Sequence, residues 1–158
     1  GCPKSAKMSH LDIKNLADRR IWKTYRRIIE EGRAITAHSP AGDLHELRKT
    51  CKKLRYLIEF FQTLYPETKI NKLLKQLKGL QDVLGDFQDL DVQTDFVDQC
   101  CKDKDAQLPA ETLKALDGLI RQLATQKAPA RKHYQPAFDE FALAKNHAMF
   151  RSLFATHR

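Results

Sequence analysis

The spacing of the apolar residues is what most constrains the fold of this chain. Between residues 44 and 64 the apolar side chains that share one face of an α-helix are Leu44, Leu47, Cys51, Leu54, Ile58 and Phe61. No segment of useful length shows the alternation of a β-strand. The six glycines and six prolines fall mostly between the periodic segments, where helices end. We therefore predict an all-α fold, a helical bundle of about four to five antiparallel helices in one domain over residues 1–158.

Capping residues and prolines predict where the helices begin and end. Ser9 and Asp12 have the spacing of a capping box, and Asp43 is placed to cap the second helix. The predicted helices span about residues 11–37, 44–64, 68–97, 110–126 and the segment after the breaks expected at Pro129 and Pro136. Residues 1–9 contain no apolar run, and we expect them to be disordered or to be residues added for expression.

Charge is distributed unevenly along the chain. The net charge is +8 with neutral histidines, and residues 1–78 carry 18 basic and 8 acidic side chains. Residues 79–105 carry 2 basic and 8 acidic side chains, so an acidic segment follows a basic half. A strongly basic half favours an acidic partner, such as a nucleic acid, an anionic lipid surface or a phosphate polymer.

Two function classes find no support in the composition. No apolar stretch approaches the ~18 residues of a membrane span. The four cysteines lack the spacing of a zinc site, and cysteines that pack as small apolar residues fit a reducing compartment. We therefore expect a cytoplasmic protein that has no metal site and no cofactor.

Two basic stripes flank the apolar faces of the first two helices. On the second helix, at 100° per residue, the side chains within about 80° of each other are His45, Arg48, Lys52, Arg55 and Glu59. On the first helix the flanking stripe consists of Arg19, Lys23, Arg26, Glu30 and Arg33, with Arg20 and Arg27 one step further round. If the helices pack antiparallel, both stripes can lie along one groove, where arginine forks and lysine charges hold successive phosphates. Our predicted polyanion site consists of His45, Arg48, Lys49, Lys52, Arg55, Arg19, Lys23, Arg26 and Arg27. The alternative is a solvated helix surface without a ligand.

Two motifs resemble the signatures of the conserved histidine α-helical domain (CHAD) family. They are residues 45–61 (HELRKTCKKLRYLIEFF) and residues 80–89 (LQDVLGDFQD), in a suitable order and separation. The resemblance implies a helical fold of two pseudo-symmetric halves around a basic channel, and binding of inorganic polyphosphate. Family members often accompany a triphosphate-tunnel enzyme domain. The basic helix occurs once here, so the resemblance, over about residues 15–98, is to the C-terminal half of the domain.

The resemblance also implies roles for single residues. Those that would contact phosphate are His45, Arg48, Lys52 and Arg55. We interpret Glu59 as a residue that orients an arginine. We interpret Gly85 as a close helix-packing point and Asp89 as the partner that fixes a basic side chain.

The function hypothesis is non-catalytic binding of inorganic polyphosphate, in the cytoplasm or at polyphosphate granules. One alternative is nucleic-acid binding, which ranks lower because it calls for exposed aromatic residues beside the basic face. Another is a helical interaction module for an acidic protein partner. We expect the aspartates of the third helix to form a solvated acidic face, since they scatter around it. A homodimer that brings two copies of the basic helix to one groove, or a missing N-terminal half-domain, would complete the channel.

Overall fold

Six α-helices make up the part of the chain that the computed structural model describes, residues 9–103 and 105–155, which contains no β-strand. They are α1 (His10–Ala34), α2 (Ala41–Phe61), α3 (Glu67–Lys102), α4 (Ala110–Lys132), α5 (Tyr134–Phe141) and α6 (Ala144–Phe154), with a 3₁₀ turn at Gln62–Leu64. The predicted all-α helical bundle is confirmed. Of the N-terminal segment predicted to be disordered, residues 1–8 lie outside the described residues.

The first two helices begin at different kinds of cap. Ser9 caps α1 as predicted: its Oγ accepts a hydrogen bond from the Asp12 backbone N–H at 3.2 Å, and Asp12 Oδ2 accepts one from the Ser9 N–H at 3.2 Å. The predicted cap of α2 is wrong, because Pro40 occupies the N-cap position with an extended backbone. Asp43 therefore lies in the first turn of α2, where a negative charge faces the positive end of the helix dipole.

The C-terminal third differs most from the predicted helices. α4 continues through Pro129 to Lys132 instead of ending near residue 126. The predicted last helix is two helices, α5 and α6, which are separated at residues 142–143. Pro136 lies in the first turn of α5, where the missing N–H has no intrahelical partner to lose, so it does not break the helix.

The core lies between α1, α2 and α3, and α5 and α6 close it against α1 and α3. The side chains with no accessible surface in the three long helices include Ile21, Tyr25, Ile28, Leu47, Leu54, Ile58, Leu73 and Leu77. Tyr25 stacks on Phe150 of α6 with 4.0 Å between ring centroids, and Phe150 meets Phe141 of α5 edge to face. The apolar face predicted for α2 is therefore the centre of the core, and the opposite face of α2 is left to solvent.

Gly32 allows α5 to pack directly against the end of α1. A Cβ atom at this position would overlap the ring of Phe138, which is buried. Tyr134, one turn earlier in α5, donates a hydrogen bond from its hydroxyl to the Gly32 carbonyl at 2.8 Å. The contact between α1 and α5 thus depends on the absence of a side chain at residue 32.

We predict that Gly32→Ala destabilises the protein by about 1–3 kcal/mol, the usual cost of overpacking a filled core. The matched control is Gly118→Ala in α4, where an added Cβ meets no atom within 4 Å. Alanine is a better helix former there by about 0.5–1 kcal/mol, so this control should hold or raise stability. Urea unfolding followed by circular dichroism compares the two. Equal effects of the two substitutions would contradict the packing role of Gly32.

Candidate functional site

The predicted site residues of α2 lie on two flanks of the helix. His45 and Arg48 face α3, where they meet Asp91 and Gln88. Lys49 faces the groove between α2 and α1. The division follows from the helical repeat, since consecutive residues are turned by 100° and the buried core face lies against the bundle.

His45 lies at a junction of three helices. Its Nε2 is 2.7 Å from Asp91 Oδ2 in α3, and Asp91 Oδ1 accepts a hydrogen bond of 2.5 Å from Lys127 Nζ in α4. The His45 ring is next to Phe87, with 6.1 Å between centroids, and its Nδ1 is buried without a hydrogen-bond partner among the described residues. Neither ring nitrogen therefore faces the open surface. In this geometry His45 joins α2 to α3.

The Asp91 carboxylate is held in its charged form. Burial on its own would raise its pKa, but the hydrogen bonds and charges of Lys127 and His45 outweigh burial, so the pKa lies below the usual value of 3.8. Asp91 is the carboxylate that engages the basic helix. The interpretation of Asp89 as that partner is wrong, because Asp89 is turned away on α3 and is exposed.

Arg48 lies against α3 one turn beyond His45. Its Nη1 donates to Gln88 Oε1 at 3.3 Å. A Cβ at Gly85 would lie 3.7 Å from Arg48 Nε, which is ordinary van der Waals contact, and would meet no backbone atom. The expectation that Gly85 is a close helix-packing point is therefore not met, because the nearest group is a long side chain.

Lys52 and Arg55 are the last two cations of the stripe predicted on α2, and both side chains are partly buried. Arg55 Nε is 3.6 Å from Glu59 Oε1, and its guanidinium lies 5.2 Å from the centre of the Tyr56 ring. Glu59 is thus placed to orient an arginine, as predicted. Lys52 has no ion-pair partner among the described residues.

A basic groove of about 710 Å³ runs between α1 and α2. Its cations are Arg19, Arg20, Lys23 and Arg27 from α1 and Lys49 and Lys53 from α2. Two carboxylates are close by: Glu31 accepts from Arg27 Nε at 2.7 Å, and Glu46 accepts from Lys49 Nζ at 3.0 Å. The groove therefore contains more cations than carboxylates.

The two predicted stripes do not share this groove. The α2 side of the groove includes Lys49 and Lys53, while His45 and Arg48 of the predicted stripe face α3. Arg26 lines an adjacent groove of about 960 Å³, together with Arg33 and His147, and this groove shares Lys23 and Arg27 with the first. The reason is the direction of each residue around α2. Residues directly beside the core face on one side point to α3, and only residues further round the helix reach the groove with α1.

Two basic residues of α4 were missed by the sequence interpretation. Lys127 binds Asp91, and Arg131 Nη2 donates to the carbonyl oxygens of Thr36 at 2.8 Å and Ser39 at 3.0 Å. Both cations lie within 6 Å of the Phe87 ring centre. Arg131 thereby fixes the loop that precedes α2, and Lys127 joins α4 to α3. One signal in the sequence was available on the α3 side, since Gln88 and Asp91 follow Gly85 at successive steps of three residues, which places them on one helix face.

Two further findings concern the described part of the chain. No three histidine, cysteine, aspartate or glutamate side chains come together there as a possible metal site. None of its helices has the length and apolar composition needed to cross a bilayer.

The fold and site define a helical bundle with a cation-rich face on its first two helices and an acidic third helix. The sequence profile of the CHAD domain matches residues 3–98, which is more than half of the chain. The chain belongs to the CHAD family. The match includes α1 and α2 and most of α3, and α4 to α6 lie beyond it. No curated protein matches the sequence.

We predict that Asp91→Asn changes the acid limb of the stability curve. A carboxyl whose pKa is lowered by folding stabilises the protein above its unfolded pKa, and this contribution is lost as the pH falls through the folded pKa. The variant should be less stable at neutral pH and should lose less stability between about pH 5 and pH 2. The control is Asp89→Asn, an exposed aspartate of the same helix. Unfolding at each pH measures both, and parallel curves for wild type and Asp91→Asn would contradict the role of this carboxylate.

Proposed function

We propose that the protein binds inorganic polyphosphate through the basic groove between α1 and α2. The observation that carries the proposal is the set of six lysine and arginine side chains that line this groove. Membership of the CHAD family supports it, since polyphosphate binding is what resemblance to this family implies. Arg48, Lys52 and Arg55 of α2 do not line the groove, and they add positive charge to the helix that forms one of its walls.

The geometry of the groove suits a repeating anion. Cations that follow one another by one turn on a helix are about 5.4 Å apart along its axis. Arginine offers planar pairs of N–H donors to phosphate oxygens, and lysine offers a mobile point charge. A polymer meets several such cations in one binding event, whereas orthophosphate meets one or two. His45 has a positioning role in this proposal, because it anchors the start of α2 to Asp91.

We further propose that binding is non-catalytic. Hydrolysis of a phosphoanhydride calls for a positioned nucleophile together with a metal or a general base. The cations of the groove are not among these groups. Binding in the cytoplasm or at polyphosphate granules is part of the same proposal.

Charge removal in the groove should weaken binding. We predict that Lys23→Gln with Lys53→Gln, one change on each wall, lowers affinity for long-chain polyphosphate by about tenfold or more at low salt and flattens its salt dependence, because fewer counterions are released. The control is Lys72→Gln with Lys75→Gln, two exposed lysines of α3 with the same change in net charge. Isothermal titration at several salt concentrations measures both variants. Equal losses would show that net charge, not the groove, binds the polymer.

Chain length should matter and turnover should be absent. We expect affinity to rise from orthophosphate to triphosphate to long polyphosphate, since each added phosphate meets a further cation. Incubation with Mg²⁺ or Mn²⁺ should release no orthophosphate in a molybdate assay. Release that persists through purification and is lost in the Lys23→Gln/Lys53→Gln variant would contradict the non-catalytic proposal.

The number of chains in the assembly stays a prediction. The basic helix occurs once in the sequence, so a two-fold pair would bring two copies to one shared groove. Light scattering at micromolar concentration, with and without polyphosphate, should give the mass of a dimer. A monomer in both conditions would contradict the pairing.

A further inference from the structure

Two aromatic side chains stand exposed within the basic face of α2. Tyr56 is 55% exposed and Phe60 is 79% exposed, although α2 has ample apolar surface in the core. They are four residues apart, so their rings follow one another on the same side of the helix. Neither belongs to the groove between α1 and α2. Polyphosphate has no apolar part, so the proposed function leaves these rings without a role.

Lysines surround the two rings. A shallow depression of about 500 Å³ is lined by Lys49, Lys52, Lys53, Tyr56, Leu57 and Phe60. The Arg55 guanidinium lies 5.2 Å from the Tyr56 ring centre, and Phe61 packs edge-on against Phe60 at 4.8 Å between centroids. The neighbouring side chains therefore support each ring from one side while most of the Phe60 surface stays open.

We propose that this face of α2 binds single-stranded nucleic acid. In this arrangement unpaired bases stack on Tyr56 and Phe60, and the sugar–phosphate backbone passes over Lys49, Lys52 and Lys53. Aromatic platforms bordered by cations are how single strands are bound without sequence preference. A duplex keeps its base faces covered, so it gains only from the lysines. The inference shares the positive charge of α2 with the proposed function and adds the two rings.

Two other occupants fit less well. An amphipathic helix at a membrane surface presents a broad apolar face, whereas the exposed apolar residues of this face are two aromatic rings next to lysines. An acidic protein would use the lysines, but nothing in its charge calls for planar rings. Bases and phosphates together use both features.

The test compares two ligands on one set of variants. Fluorescence anisotropy with labelled oligouridylate, and titration with long-chain polyphosphate, are measured for wild type and for Tyr56→Ala with Phe60→Ala. Loss of one stacked base weakens binding about five- to a hundredfold. We expect the double variant to lose at least tenfold in oligouridylate affinity and to keep its polyphosphate affinity within about twofold. Circular dichroism and the melting temperature confirm that the helices are intact.

Phe96→Ala is the matched control. Phe96 is 67% exposed on α3, but it follows Asp95 in the acidic segment of the chain. This control should keep wild-type affinity for both ligands. An equal loss of oligouridylate affinity in Phe96→Ala would overturn the inference, because any exposed ring would then suffice.

Other outcomes separate the inference from the proposed function. Binding of polyphosphate with no binding of oligouridylate overturns the inference alone, and binding of neither overturns both. Wild-type oligouridylate affinity in the Tyr56→Ala/Phe60→Ala variant overturns the inference. A change in the mass of this variant by light scattering also overturns it, because the rings would then join two chains. Tighter binding to phosphatidylserine–phosphatidylcholine vesicles than to oligouridylate, lost in this variant, would identify a membrane surface instead.

Discussion

The hydrogen bonds of the Asp91 carboxylate are the interaction on which the basic face depends. One negative charge on α3 accepts from His45 of α2 and from Lys127 of α4, and so joins three helices at a partly buried point. Removing one partner of such a group leaves the others without their charge partner, which costs more than the pair itself contributes. Because His45 lies at the start of α2, the junction sets how α2 is placed along α3. Arg48 then meets Gln88 one turn further on.

Positive charge on α1 and α2 is only partly balanced by neighbouring carboxylates. Glu31 of α1 forms an ion pair with Arg27 and also accepts a hydrogen bond from the hydroxyl of Thr50 at 3.0 Å, so it links α1 to α2 across the groove. Ion pairs at this degree of exposure contribute little free energy and are weakened by salt. These ion pairs fix the positions of side chains but do not cancel the positive electrostatic field of the groove. An anionic ligand that binds the folded chain would lower this repulsion and thereby raise the apparent stability.

The helical repeat predicted those features that one helix determines by itself. It gave the core face of α2 and placed Arg48 and Arg55 beside it, because a residue's direction around a helix follows from its position. It failed where two helices must meet. The three-residue spacing of Gly85, Gln88 and Asp91 marks one face of α3, but only the packing of α2 against α3 decides that this face meets the basic helix. Lys127 likewise reaches the site only because α4 packs along α3. The prediction that both basic stripes lie along one groove was wrong for the same reason, because it also depends on how neighbouring helices meet.

The acidic segment of the chain bears on the path that the proposed polyanionic ligand would take. Residues 79–102, which carry 1 basic and 6 acidic side chains, form the part of α3 that borders the His45 end of α2. A polymer that left α2 on this side would meet carboxylates within about one Debye length, ~8 Å at physiological ionic strength. On the other side it meets the cations of α1, among them Arg20 and Lys23. Repulsion from α3 and attraction from α1 therefore act in the same direction, and both favour a path along the groove between α1 and α2 over one across the bundle.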